Sequence, residues 1–150
     1  MPTQTESTQP AQDDFYARLR GKLGVSRIRS ERDVVALIEK RLPARAIRAL
    51  MRGGFSSGEI YNLIVARRTL AHRLAKHQDL STEESDRAVR VAWVASLAEE
   101  VFAESDRAWR WLRKPKRQFR GRSPIDLLAT GAGARIVEEL LIQIDDGMAA

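Results

Sequence analysis

The chain has 150 residues, of which 43% are hydrophobic and 31% charged, and its formal net charge is +6. This length suffices for one substantial core or two small helical modules, and the composition is that of a soluble globular protein. The absence of cysteine excludes disulfides, thiolate metal sites and cysteine nucleophiles, which suits the cytoplasmic location that we expect. Segment 1–14 lacks the apolar centre of a signal peptide, and no apolar run reaches the ~18 residues of a membrane span.

Charge is unevenly distributed along the chain. Residues 15–80 carry 15 bases and five acids, a net +10, and residues 81–122 carry a net +3. Residues 1–14 and 123–150 carry net charges of −3 and −4. A basic first half followed by an acidic end predicts a polyanionic partner at one end and a different partner at the other. A solvated arginine-rich surface would give the same counts, so charge alone leaves both interpretations open.

Apolar spacing predicts an all-α fold. Residues 1–12 have little to bury, so we expect a disordered tail, which we extend to residue 14. Ser30 and Asp33 have the spacing of an N-cap, followed by the apolar stripe Val34, Leu37, Ile38 and Leu42. Pro43 is expected to start a helix that places Ile47, Leu50 and Met51 on one face. Gly53-Gly54 should end it.

Two capping boxes mark the next helices. Ser56 with Glu59 begins a short helix with Ile60, Leu63 and Ile64 inward, and a basic helix with Leu70 and Leu74 inward follows. Ser81 with Glu84 begins a long helix to about Ser105. Its expected buried stripe is Val89, Trp93, Leu97, Val101 and Phe102.

Two or three helices remain in the last third. Asp106–Leu112 turns Ala108, Trp109 and Leu112 inward, and Ser123-Pro124 has the pattern of another helix start. The last helix is expected from about Gly133 to Asp146, before Gly147. Its apolar face is Ile136, Val137, Leu140, Leu141 and Ile144.

Residues 54–76 have the pattern of a helix-turn-helix. Such a unit needs apolar residues near positions 5, 9 and 15 to hold its second helix against the first, and Ile60, Ile64 and Leu70 supply them. Arginine reads guanine or clamps phosphate, and threonine offers a hydroxyl or methyl contact. The second helix would then present a DNA-reading face of Arg67, Arg68, Thr69, His72, Arg73 and Lys76. An ordinary helical hairpin with a solvated basic face is the alternative.

Eight bases lie between Arg107 and Arg122, interleaved with Trp109, Trp111 and Phe119. This composition is typical of stacking on single-stranded nucleic acid. We favour the alternative that Trp109 and Leu112 belong to the core and that the bases lie on an exposed loop. Enzyme signals are poor, because the two histidines lie five residues apart and the acidic pairs splay around their helices. We therefore predict neither catalysis, nor a metal site, nor a cofactor.

A longer pattern resembles a known family. The segment from Pro43 to Arg90 resembles the Xre-like helix-turn-helix of Xre/MbcA/ParS antitoxins. The matching residues are Pro43, Ala46, Leu50, Gly54-Phe55-Ser56, Glu59-Ile60, Arg68-Thr69-Leu70, Arg73, Leu80-Ser81, Glu84–Arg87 and Arg90. The second half resembles their C-terminal toxin-binding domain. The matching residues are Ala108, Trp111-Leu112, Pro115, Gly121, Ser123-Pro124, Leu127-Leu128, Thr130, Gly133, Val137, Leu140, Ile144 and Gly147. We accordingly assign residues 15–92 to DNA binding and residues 93–150 to toxin binding.

The resemblance implies the antitoxin of a type II toxin–antitoxin module. Its partner would be a RES-domain toxin that degrades NAD⁺ or ADP-ribosylates a target. The antitoxin would dimerise, block the toxin's NAD site and repress its own operon by binding operator DNA. A stand-alone helix-turn-helix regulator is the alternative.

The acidic last helix is the expected toxin-binding element. An electropositive pocket for the NAD⁺ pyrophosphate would accept its charges, so the expected residues are Arg135, Glu138, Glu139, Gln143, Asp145, Asp146, Gly147 and Met148. The family pattern has asparagine where this chain has Lys116. Together with Lys114, Arg117 and Arg120, Lys116 makes this loop unusually basic. The departure leaves open whether the loop belongs to the toxin-binding surface or instead contacts DNA or an acidic patch on the partner.

Overall fold

The computed structural model describes residues 9–147, and the only β-type contact in this range is an isolated bridge between Pro43 and Asp79. The helices are α1 (Gln9–Leu23), α2 (Glu31–Lys40), α3 (Ala46–Arg52), α4 (Ser57–Leu63), α5 (Arg67–Ala75), α6 (Thr82–Phe102), α7 (Ser105–Arg113), α8 (Pro124–Leu127) and α9 (Gly131–Asp145), with a 3-10 helix at Arg117–Phe119 between α7 and α8. The all-α prediction is confirmed. No helix between residues 9 and 147 has the length and hydropathy needed to span a bilayer.

Helix α1 corrects the predicted N-terminal tail. It begins at Gln9, so the disorder expected for residues 9–14 is wrong, while the same expectation for residues 1–8 lies outside the described range. Phe15, Leu19 and Leu23 recur every four residues and form an apolar face that joins the core. Leu19 and Leu23 are almost fully buried, so packing against α3 and α6 overrides the polar composition of the first turns.

Two ion pairs fix α1 to α6. The Arg18 guanidinium Nε lies 2.9 Å from a carboxylate oxygen of Glu100, and the buried ammonium of Lys22 pairs with buried Glu99. Removing one partner of a buried pair leaves an uncompensated charge, so each side chain depends on the other. Glu99 and Glu100 therefore anchor a helix.

Helix α6 is the centre of the fold, and its predicted buried face is largely wrong. It contacts α1, α2, α4, α7 and α9. The residues buried along it are mostly small: Ala88, Val89, Val91, Ala92, Val94, Ala95 and Ala98. Of the expected stripe only Val89 is fully buried, since Trp93, Leu97, Val101 and Phe102 are half-buried. Small side chains allow neighbouring helices to approach α6 closely from several sides, and the larger residues pack against the edge of the core while partly buried.

Helix α6 is continuous across residue 92, where we placed a domain boundary. One hydrophobic core contains residues from both sides of it, and the division into 15–92 and 93–150 stays a prediction. The helix ends at Phe102 because Ala103 adopts a left-handed conformation with φ of 60°.

The segment before α3 is extended rather than helical at Pro43, so the helix start expected there is wrong. Residues 42–44 pair with residues 78–80, with Leu80 N–H donating to the Leu42 carbonyl at 2.7 Å. The Leu42 N–H donates in turn to the buried Ser85 hydroxyl at 2.9 Å. This connection ties the segment before α3 to the segment between α5 and α6.

Candidate functional site

Helices α4 and α5 form the predicted helix-turn-helix geometry. Only the three residues 64–66 separate them. Ile60, Ile64 and Leu70 are all buried, as the helix-turn-helix pattern requires. Arg87 of α6 supports the turn, because its Nε–H donates to the Ile64 carbonyl at 3.1 Å. Arg87 belongs to the run that resembles the antitoxin family, but nothing local to it predicts this contact with a residue 23 positions away.

The start of α4 is held by a capping box and by a residue from α7. The Ser56 hydroxyl accepts from Glu59 N–H, and the Glu59 carboxylate accepts from Ser56 N–H at 2.8 Å. Arg113 then donates to both carboxylate oxygens of Glu59, at 2.9 and 3.0 Å, and to the Gly54 carbonyl at 2.7 Å. Burial opposes ionisation of Glu59, but the hydrogen bonds from Arg113 and Ser56 outweigh it and lower its pKa. The second half of the chain is thereby clamped to the helix-turn-helix.

Helix α5 is fixed to α6 by Arg73, whose predicted contact with DNA stays a prediction. The Arg73 Nε lies 2.8 Å from Glu84 Oε1, and its Nη2 donates to Oε2 at 3.2 Å. Glu84 also belongs to the Ser81 capping box, and hydrogen bonds from Ser81 and Arg73 lower its pKa despite its burial. A guanidinium held in this way positions the helix.

The other basic side chains at α5 point to solvent. Arg67, Arg68, His72 and Lys76 are exposed, and Thr69 is half-buried beside them. Within residues 9–147 none of these four side chains has an acidic partner within salt-bridge distance. Arg67 and Arg68 occupy the first turn of the helix, where positive charge opposes the macrodipole. Helix stability therefore does not explain their presence, whereas an external anion does.

Helix α9 places most of the predicted toxin-binding residues on its outer surface. The exposed members are Arg135, Glu139, Gln143, Asp145, Asp146 and Gly147. Glu138 is half-buried, and burial together with nearby Glu31 and Glu139 raises its pKa although Arg135 opposes this. Met148 lies outside the described residues.

Two isoleucines on α9 depart from the predicted apolar face. Val137 and Leu141 are fully buried, but Ile136 is 50% exposed and Ile142 52% exposed. The prediction that Ile136 faces the core is therefore wrong, and Ile142 was missed as a surface residue. The available signal was that the apolar residues of this helix span a wider arc than one packed face needs.

The tryptophans of α7 are covered. Trp109 is 7% exposed and meets Phe55 edge-on, with ring centroids 4.7 Å apart. Trp111 is half-buried, with the Lys116 ammonium 4.8 Å from its ring centre. The aromatic residues thus support the fold beneath an exposed basic loop, as the favoured interpretation predicted. Between residues 9 and 147, no cluster of histidine and acidic side chains has a metal-binding arrangement.

Comparisons with known proteins assign both halves of the chain. Residues 33–92 match the family model of the antitoxin Xre-like helix-turn-helix domain, and residues 97–147 match that of the antitoxin Xre/MbcA/ParS C-terminal toxin-binding domain. Antitoxin Xre of Pseudomonas putida is 35% identical over 134 residues, which cover 89% of this chain and 84% of that protein. This chain belongs to the Xre family of antitoxins.

A second relative of the antitoxin is named Prs ADP-ribosylating antitoxin, from a Sphingobium species. It is 35% identical over 88 residues, which cover 53% of this chain and 55% of that protein. The chain is thus an antitoxin of a toxin–antitoxin system with a helix-turn-helix DNA-binding domain. Membership of this family indicates a regulatory rather than an enzymatic protein.

Proposed function

We propose that the antitoxin blocks the NAD site of a RES-domain toxin with the outer face of α9, and that it represses its own operon as a dimer through α5. The observation that carries the first part is the pair of exposed isoleucines, Ile136 and Ile142, among acidic residues on α9. Interfaces that bind tightly combine an apolar centre with charged residues around it.

The inner face of α9 is anchored independently of its outer face. Val137 and Leu141 are fully buried and α9 contacts α6, so the helix does not need its outer residues for folding. Asp145 and Asp146 lie at its C-terminal end, where negative charge opposes the macrodipole. Acidic residues that the helix itself disfavours are best explained by a cationic partner surface.

The charge of this region supports an NAD-binding toxin as the partner. Residues 123–147 contain five acids and one base. A pocket that accepts the NAD⁺ pyrophosphate must be electropositive, so an acidic helix is a suitable occupant of it. The name of the Sphingobium relative, an ADP-ribosylating antitoxin, also points to NAD⁺-dependent chemistry in such systems.

Reversing the charge of α9 tests this proposal. Glu139→Lys, Asp145→Lys and Asp146→Lys together should weaken toxin binding by at least about 100-fold, because like charges placed face to face across an interface cost several kcal/mol. Lysine at positions 145 and 146 favours the end of a helix, so the variant should fold as well as the parent. Affinity for the purified toxin and protection of cellular NAD⁺ are the measurements.

A matched control separates a local effect from net charge. Glu39→Lys, Asp79→Lys and Glu104→Lys make the same charge change at exposed positions outside α9. This control should retain toxin binding within a few-fold. Equal loss in the two triple variants, or none in the α9 variant, would refute α9 as the toxin-binding surface.

Repression requires two copies of α5. Helix α4 has seven residues and α5 has nine, and one such pair of helices reads only a few base pairs. A two-fold dimer on a palindromic operator is therefore expected. The reading residues are Arg67, Arg68, Thr69, His72 and Lys76, all of them fully or partly exposed. Arg73 contributes by holding α5 against Glu84.

A further inference from the structure

The basic loop, defined as residues 114–122, is a strongly charged surface that the proposed function does not use. It contains Lys114, Lys116, Arg117, Arg120 and Arg122, and no acidic residue. None of the five has an acidic partner within salt-bridge distance in the part of the chain that the structure describes. A concentration of uncompensated cations of this kind is the footprint of a polyanion.

The loop is preformed by its own backbone. Lys116 N–H donates to the Arg122 carbonyl at 3.0 Å, and Gly121 N–H donates to the Lys116 carbonyl at 3.0 Å. Arg120 and Gly121 adopt left-handed conformations that close the turn, with φ of 56° and 84°. The Lys116 side chain packs on Trp111, and burial together with Lys114 lowers its pKa. The remaining cations project from a fixed frame.

The loop lies next to the helix-turn-helix because of Arg113. This residue precedes the loop directly and clamps Glu59 in the first turn of α4, as well as the Gly54 carbonyl. In helix-turn-helix proteins the first helix of the unit crosses the DNA backbone while the second enters the major groove. We therefore expect a loop tethered to the start of α4 to lie beside the phosphates that flank the bases read by α5.

Charge distinguishes DNA from the toxin as the partner of this loop. The toxin surface that accepts the acidic α9 must be electropositive, and it would repel five cations. The DNA backbone offers a dense row of negative charge that arginine and lysine neutralise with release of counterions.

We propose that the basic loop is a second DNA-binding element, which contacts the phosphate backbone beside the site read by α5. This proposal rests on the operon-binding part of the proposed function. It places a DNA contact within the region that matches the toxin-binding family model, residues 97–147. Phosphate contacts carry no base information, so the loop supplies affinity and salt dependence while α5 supplies sequence preference.

Salt-dependent affinity of the full chain for DNA from its own promoter tests the proposal. Lys114→Gln, Arg117→Gln and Arg120→Gln remove three exposed cations and leave Arg113 and Lys116 in place. The slope of log affinity against log salt should become shallower by about 5 for the dimer, since three phosphate contacts are lost in each protomer and each contributes about 0.9. Affinity at low salt should fall about tenfold or more for promoter and random duplexes alike, and the ratio between them should not change.

The matched control is Arg27→Gln, Arg29→Gln and Arg32→Gln, which removes three exposed arginines from the segment at the start of α2. It should leave the slope within about 1 of the parent value. If the parent binds the promoter through α5 and the loop variant has an unchanged slope, the loop is not a DNA-binding element, and the repression proposal still stands. A parent that does not bind the promoter would overturn the repression proposal as well. A loop variant that loses toxin binding and keeps its DNA affinity would assign the loop to the toxin instead.

Discussion

Replacing Arg67 and Arg68 together by alanine is expected to abolish recognition of the operator. Both side chains are exposed in the first turn of α5 and have no acidic partner within salt-bridge distance in the described range, so the fold loses no ion pair when they are removed. A bidentate arginine contact to guanine contributes about 1–3 kcal/mol, so the pair should cost at least roughly 30-fold in each protomer of a dimer. Fluorescence anisotropy with promoter and random duplexes measures the loss of affinity and of sequence preference.

Arg27→Ala with Arg32→Ala is the matched control for this experiment. It removes the same charge from exposed positions outside the helix-turn-helix and should preserve the preference for promoter DNA. Toxin neutralisation by the α5 variant should also be unchanged, because the proposed toxin-binding surface lies on α9 and includes neither arginine. Retained operator preference in the α5 variant would show that another element reads the bases.

Among substitutions of a single glycine by alanine, Gly133→Ala is expected to be the most destabilising to the C-terminal half. A Cβ atom at this position would lie 1.9 Å from the Leu127 carbonyl oxygen, which is backbone and has no rotamer to escape into. Helix α9 would have to move away from the end of α8, where the Thr130 hydroxyl accepts from Gly133 N–H at 3.0 Å. Overpacking costs about 1–3 kcal/mol in ordinary cores, and this contact should reach about 3 kcal/mol or more. Thermal unfolding should show a midpoint lower by about 10 °C for a chain of this size.

Gly131→Ala provides the control two residues away on the same helix. Its added Cβ would meet nothing closer than an Arg90 guanidinium nitrogen at 3.8 Å. Alanine here should be neutral or stabilise by up to about 1 kcal/mol, since it restricts the unfolded chain and favours helix. Equal midpoints for the two variants would mean that α8 and α9 are not as close as the structure places them. The displaced α9 of Gly133→Ala should also neutralise toxin less well than that of Gly131→Ala.

The features that sequence analysis predicted correctly are local ones. The caps at Ser30, Ser56 and Ser81 each accept a hydrogen bond from an N–H three residues later, so their signal lies within four residues of sequence. The glycine pair at 53–54 ends α3 for the same kind of reason, as Gly54 has φ of 121°. The resemblance to a known family then predicted that a DNA-binding half precedes a toxin-binding half.

The errors concern contacts between distant residues. The buried face of α6 depends on which helices surround it, and periodicity within one helix carries no such information. Arg67 and Arg73 are the same residue type on one helix. Only Arg73 has an acidic partner, because Glu84 at the start of α6 lies beside it. The Glu59–Arg113 pair joins residues 54 apart, so no pattern within either helix predicts it.

The most direct test of the account is to co-express the antitoxin with the product of its neighbouring gene and measure complex formation and cellular NAD⁺. We expect stable co-purification with a RES-domain toxin and preserved NAD⁺, both lost in the α9 charge-reversal variant and both retained in the Arg67, Arg68 variant. Failure of the parent chain to form a complex or to protect NAD⁺ would contradict toxin blocking by α9. Operator binding would then be the function left to this chain.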